Sequence, residues 1–150
     1  MIKTGYEEYL AEHGTLTYSN VGVSMMPLLR QDRDLMEIVR RGEERLHKYD
    51  AVLFLRDNGD YVMHRIVKVL PEGYIICGDN SYQMERVRED QILGVLVGVV
   101  RDGRTIKTDT PSQKLSARAI TAAYPLRVVR LRARGALSKA KRLVLGAARH

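Results

Sequence analysis

The chain has 150 residues, 45% hydrophobic and 29% charged, proportions of a soluble globular protein of one domain with a real core. Its one cysteine excludes an internal disulfide framework, and no Cys/His cluster has zinc spacing, so no metal or other cofactor is expected. Of the net charge of +7, residues 1–100 carry 12 Lys/Arg against 16 Asp/Glu and residues 101–150 carry 13 against 2, so the body is mildly acidic and the tail strongly basic.

The opening Met-Ile-Lys-Thr-Gly-Tyr-Glu-Glu-Tyr-Leu has no apolar run, and no secretory signal is expected. Tyr6–His13 reads as a short helix, with Tyr6, Tyr9 and Leu10 on one side and Gly14 as its stop. Thr15–Ser19 has strand propensity and leads into a turn over Val21–Leu29. Asp34–Arg40 reads as a strand, and Arg41–Lys48 as a charged loop with His47 solvated. Tyr49–Arg56 and Tyr61–Leu70 predict two strands joined by Asp57-Asn58-Gly59-Asp60, because Asn-Gly between apolar runs is a hairpin signal. Pro71-Glu72-Gly73 turns the chain into a third strand, Tyr74–Cys77, which Gly78-Asp79-Asn80-Ser81 breaks. Gln91–Val100 is the last long strand, with Gly94 and Gly98 allowing bends. Its apolar run is far short of the roughly 20 residues of a membrane-spanning helix. Asp102-Gly103 closes it, and the segment to Gln113 resembles a linker. Five or six short strands with frequent turns predict an all-β, barrel-like domain.

The turn Val21–Leu29 is Val-Gly-Val-Ser-Met-Met-Pro-Leu-Leu. Ser24, two residues after Gly22 and three before Pro27, sits on a shaped turn and not in a regular helix. Gly22 permits positive φ or close backbone approach, and Pro27 fixes its own φ and biases Met26 away from helix. Met25, Met26, Leu28 and Leu29 can anchor the turn in a core and leave the hydroxyl presented. Taken alone, Ser24 is an ordinary turn serine. It becomes a nucleophile only where a base takes its proton and backbone N–H groups receive the oxyanion.

His64 is the candidate base. It stands mid-strand on the face shared with Val62 and Ile66, while Met63, Val67 and Val69 fill the other, so the strand is expected to be buried. Burial favours the neutral imidazole, the form that accepts a proton. His13, His47 and His150 lie in polar or terminal contexts. Asp79, one strand later, is an Asx-turn residue on the plain reading. It can also receive the second imidazole N–H, as the acid of a Ser-His-Asp triad does.

Gly22-x-Ser24-Met25-x-Pro27, Tyr49-Asp50-Ala51-Val52-Leu53-Phe54, Tyr61-Val62-Met63-His64-Arg65-Ile66, Gly78-Asp79-Asn80 and Ile92-Leu93-Gly94 follow one another in the chain. Together they resemble the type I signal peptidase and LexA-like superfamily of serine peptidases, over about residues 18–101. The resemblance implies Ser24 as nucleophile, with Gly22, Met25 and Pro27 shaping the turn. It implies His64 as base, in the His-Arg-Ile form of the endoplasmic-reticulum and archaeal type where most bacterial members have Lys. Asp79 follows as the supporting acid. The implied fold is mainly β, coiled sheets with a small barrel. Three departures stand out: Leu28 replaces the usual Thr, only Glu85 follows where His-type members have a further aspartate, and neither a membrane anchor nor a long insert is expected from these residues.

The tail has its own pattern. Leu126, Val129, Ala133, Ala136, Leu137, Ala140, Leu143, Val144 and Ala147 fall at helical spacing, with Arg127, Arg130, Arg134, Lys141 and Arg142 largely off that stripe. A basic amphipathic helix of this kind can lie on an anionic membrane surface, or its stripe can pack on the β domain. Nucleic acid fits less well, because no aromatic follows Tyr124.

The expected organisation is an N-terminal helix and lead-in over 1–17, a peptidase domain over 18–104, and a linker with basic amphipathic helix over 105–150. The expected activity is a serine endopeptidase using Ser24 and His64, oriented by Asp79, on a peptide or protein precursor. The expected location is cytoplasmic, with the tail as a means of peripheral attachment to the membrane. The alternatives are a self-cleaving LexA-like regulator, which about twenty residues before the turn leave no room to equip with a helix-turn-helix, and a non-catalytic domain docking through its tail.

Overall fold

Alternating apolar residues in the first hundred positions build one antiparallel sheet. The computed structural model describes residues 5–19 and 22–148, so the readings on residues 1–4, Val21 and His150 lie outside the described residues. The strands are β1 Thr15–Ser19, β2 Asp34–Arg40, β3 Ala51–Leu55, β4 Tyr61–Leu70, β5 Gly73–Cys77, β6 Met84–Val87, β7 Ile92–Arg101 and β8 Arg104–Lys107. They run in the order β1-β2-β7-β3-β4-β5-β6, with β8 paired to the last residues of β7. Helix α1 is Tyr6–His13, and α2 Pro111–Ala122 and α3 Tyr124–Ala147 follow the sheet.

The protein is therefore mainly β, but the expected barrel is not formed. Among the described residues β1 pairs only with β2 and β6 only with β5, so the sheet keeps two open ends. Strands β6 and β8 are additions to the sequence reading. β8 occupies part of the segment read as a linker. Asp102 at φ 51° and Gly103 at φ 76° make the two-residue turn, both central residues positive, that folds it back on β7.

The strands contribute to two buried apolar clusters. Leu10 of α1, Leu16, Met36, Ile38, Leu53, Met63 and Leu96 fill one core, joined by Met25 and Leu29 from the serine turn. Val52, Phe54, Ile66, Tyr74, Ile76, Val87 and Ile92 fill the other. The period-2 alternation of β3 and β4 divides their side chains between the two, Leu53 and Met63 to the first, Phe54 and Ile66 to the second.

The tail is two helices. Thr110 caps α2, its hydroxyl accepting the Gln113 N–H, with Pro111 in the first turn. α3 packs on the body through Arg127, which is buried, and not through its apolar stripe. Leu126 (76% exposed), Val129, Leu137, Leu143 and Val144 all face outward, and from Arg132 to Ala148 every residue is exposed. The reading in which the stripe packs on the β domain is corrected here. No described helix is long and apolar enough to cross a membrane.

This division between core and surface is measurable. Phe54→Ala, at a fully buried position, should lower unfolding stability by about 3–5 kcal/mol in a denaturant titration. Leu137→Ala, in the outward stripe, should leave it within about 0.5 kcal/mol.

Candidate active site

Forty positions apart in sequence, Ser24 and His64 meet. β4 presents His64 opposite Val52 of β3, on the face of the second core. Gly22 stands at φ 92°, a conformation that favours glycine, and starts the serine turn. Met25 and Leu29, both buried, sink the turn into the first core, while Val23, Met26 and Pro27 stay exposed. Met26 N–H donates to Val23 O and Leu29 N–H to Met25 O, and the Met26–Pro27 peptide is cis. Ser24 Oγ then lies 3.1 Å from His64 Nε2.

At that distance the Ser24 O–H can donate to Nε2, provided that the imidazole carries its proton on Nδ1. His64 is only 6% exposed, with the Phe54 ring 6.1 Å away. Burial pulls its pKa below the ordinary histidine value; the Glu85 and Asp79 carboxylates oppose this and Arg56 adds to it. Burial therefore favours the neutral imidazole.

The expectation for Asp79 needs correction. Both of its oxygens are taken at 2.7 Å by Arg65, through Nε and Nη2, in a buried bidentate pair. Arg65 follows His64 in the strand and alternation sends it to the opposite face, so Asp79 is drawn away from the imidazole. His64 Nδ1 has no hydrogen-bond partner among the described residues. The Glu85 carboxylate stands 3.8 Å from it, too far for a hydrogen bond, and is paired instead with Arg56.

The loop Gly78-Asp79-Asn80 has a different part in the site: it clamps the serine turn. Asn80 N–H donates to Ser24 O at 2.7 Å, and Asn80 Nδ2 donates to Val23 O at 3.1 Å. Asp79 N–H points at Met25 Sδ, 3.4 Å away. A Cβ on Gly78 would stand 2.7 Å from Ser24 O and 3.0 Å from His64 Nε2, so only glycine lets the loop close over the pair. Among the described residues neither the Ser24 N–H nor the Met25 N–H has an acceptor. These donors can serve an oxyanion at the turn.

Helix α3 holds the same loop from outside. Arg127 Nε donates to Ser81 O at 2.6 Å, Arg130 Nη2 to Asn80 Oδ1 at 3.1 Å, and Tyr124 O–H to Tyr82 O at 2.7 Å. A cleft of about 530 Å³ remains between helix and turn, lined in part by Met26, Pro27, Asn80, Leu126 and Arg130. Cys77 is buried beneath, and burial pushes its thiol pKa up, which leaves it a poor nucleophile.

Sequence reading singled out the serine, the histidine, the loop and Glu85 as the other acid near the base, but not the contacts made by Arg65 or Asn80. Arg65 and Asn80 stand inside the motifs that raised attention, so a signal was present without a role. Glu85 and Arg56 meet only through the successive pairing of β3 with β4, β4 with β5 and β5 with β6. No protein-family model matches the chain, and no curated protein matches it.

Gly78→Ala is the sharpest probe of this packing. The added methyl must displace the Ser24 carbonyl or the imidazole, and unfolding stability in a denaturant titration should fall by about 1–3 kcal/mol. Circular dichroism should still report the native sheet.

Proposed function

We propose that the chain is a serine endopeptidase in which Ser24 is the nucleophile and His64 the general base. The observation that carries the reading is the 3.1 Å approach of Ser24 Oγ to a buried imidazole whose pKa burial lowers. The motif order that resembles the type I signal peptidase and LexA-like superfamily supports it independently.

The chemistry follows from the positions. Ser24 Oγ attacks the scissile carbonyl carbon as Nε2 takes the hydroxyl proton. The carbonyl oxygen becomes an oxyanion, received by the Ser24 N–H and the neighbouring Met25 N–H. The C–N bond breaks as Nε2 returns the proton to the leaving amine, and an acyl ester remains on Ser24. Water, deprotonated by the same imidazole, then hydrolyses the ester and restores the hydroxyl. The imidazolium formed midway needs a carboxylate at Nδ1. Glu85, 3.8 Å away, is assigned that positioning role, closing on Nδ1 as substrate fills the site. Asp79 is assigned to the loop through Arg65. By the family resemblance, the substrate is an extended peptide or protein precursor with small side chains beside the scissile bond.

Cleavage of a peptide library, read by mass spectrometry, tests this. Ser24→Ala and His64→Ala should each abolish cleavage, and the double variant should be no worse than either, because the two act as a unit. Additive losses, or an active Ser24→Ala protein, would contradict the assignment.

The pH profile gives a separate check. A base with a depressed pKa is protonated, and the activity lost, only as pH falls below about 6.5, so the onset of kcat/KM should lie under that value. Glu85→Gln removes a charge that raises the His64 pKa, and should move the onset lower still while reducing kcat. An onset that ignores Glu85→Gln would remove Glu85 from the site.

A further inference from the structure

We infer that α3 is an interfacial anchor, lying in the plane of an anionic bilayer with its outward stripe in the lipid and the cleft beside the serine turn, lined by Met26, Pro27 and Leu126, carried at the membrane surface. Four observations bear on it. The side of the helix that touches the body is Tyr124, Arg127, Val128 and Leu131, whose side chains are buried or half-buried. The apolar stripe therefore faces away, with Leu126, Val129, Leu137, Leu143 and Val144 each at least 67% exposed. An isolated apolar face of this length in water asks for a cover.

Charge chooses the cover. Residues 114–150 hold ten Lys/Arg and no Asp or Glu. Of these, Lys139, Lys141 and Arg142 lie in the fully exposed second half of the helix and form no ion pair among the described residues. A second copy of the chain, packed stripe to stripe, would bring two such unbalanced rows together. An anionic lipid surface answers both faces at once, since it takes apolar side chains at its acyl boundary and cations at its headgroups.

The anchor is also part of the site. Arg127 and Arg130 bond the loop that clamps Ser24, and Leu126 of the stripe lines the same cleft as Met26. Val23, half-exposed, lies on the turn itself. A chain segment lying at the surface of the bilayer would meet the cleft without leaving it. The surface attachment stands whether or not Ser24 is a nucleophile, and its test does not use catalysis.

The chain has no tryptophan, so a single one placed on α3 reports its own surroundings. Leu137→Trp and Arg142→Trp stand about 140° apart around the helix. With vesicles of phosphatidylcholine and phosphatidylglycerol, Leu137→Trp emission should shift to the blue and Arg142→Trp emission should stay near its value in water. Co-sedimentation of the unsubstituted full chain with these vesicles should fall at least about tenfold as salt is raised from 20 mM to 500 mM, and pure phosphatidylcholine should retain little. The double variant Leu137→Glu/Leu143→Glu should remain folded and lose the anionic vesicles. Equal binding to neutral vesicles, a blue shift at both positions, or binding untouched by the double variant would overturn the inference. So would a stable dimer in sedimentation equilibrium that vesicles leave intact and Leu137→Glu/Leu143→Glu dissociates.

Discussion

The buried pair of Arg65 and Asp79 is the contact on which the site geometry depends. Two charge-assisted hydrogen bonds of 2.7 Å join the guanidinium fork to the carboxylate, and Arg65 Nη1 adds a third at 2.8 Å to Tyr49 O. Taking both ions out of water is expensive, and removing one partner would leave the other charged and buried. What the pair secures is position. Asp79 sits between Gly78, which packs on the imidazole, and Asn80, which holds the Ser24 carbonyl. Arg65 is the residue after His64. One strand therefore supplies His64 and, on its other face, the anchor of the loop that fixes Ser24.

That arrangement accounts for what could and could not be read in the sequence. The β4 residues Tyr61–Leu70 announce themselves, because alternating apolar side chains and an Asn-Gly turn are local signals. Strand β6, Met-Glu-Arg-Val, has too little apolar content to signal anything; it exists because β5 offers it an edge and Val87 reaches the second core. β8 has Ile106 alone as apolar content and depends on the tight turn before it. The failure to close a barrel is likewise invisible locally, since closure depends on whether two distant edge strands meet.

The site shows the same limit. Ser24 and His64 could be named from their motifs. Asp79 was given to the wrong partner, because nothing in Gly-Asp-Asn says which face of the neighbouring strand it will reach. Period-2 alternation makes His64 and Arg65 face opposite ways, and a single carboxylate cannot serve both. Arg65, with five donors in a rigid fork, takes it. Helix α3 carries a related lesson. Its spacing announced an amphipathic helix, but the body packs against the side holding Tyr124, Arg127, Val128 and Leu131, with Arg127 buried, and leaves the stripe of Leu126, Val129 and Leu137 outside. An arginine that can bond the Ser81 and Ile120 carbonyls brings its own reason to be buried.

Chemical marking of the nucleophile tests the central claim most directly. A fluorophosphonate probe phosphonylates a serine, its oxygen displacing fluoride from phosphorus, only where a base has activated it, independent of any knowledge of the substrate. After incubation near pH 7.5 and proteolytic digestion, mass spectrometry should place a single adduct on the peptide containing Ser24, at a rate that His64→Ala reduces by at least about 10²-fold. No adduct on Ser24, or an adduct formed as fast without His64, would contradict a serine–histidine pair as the working centre of this protein.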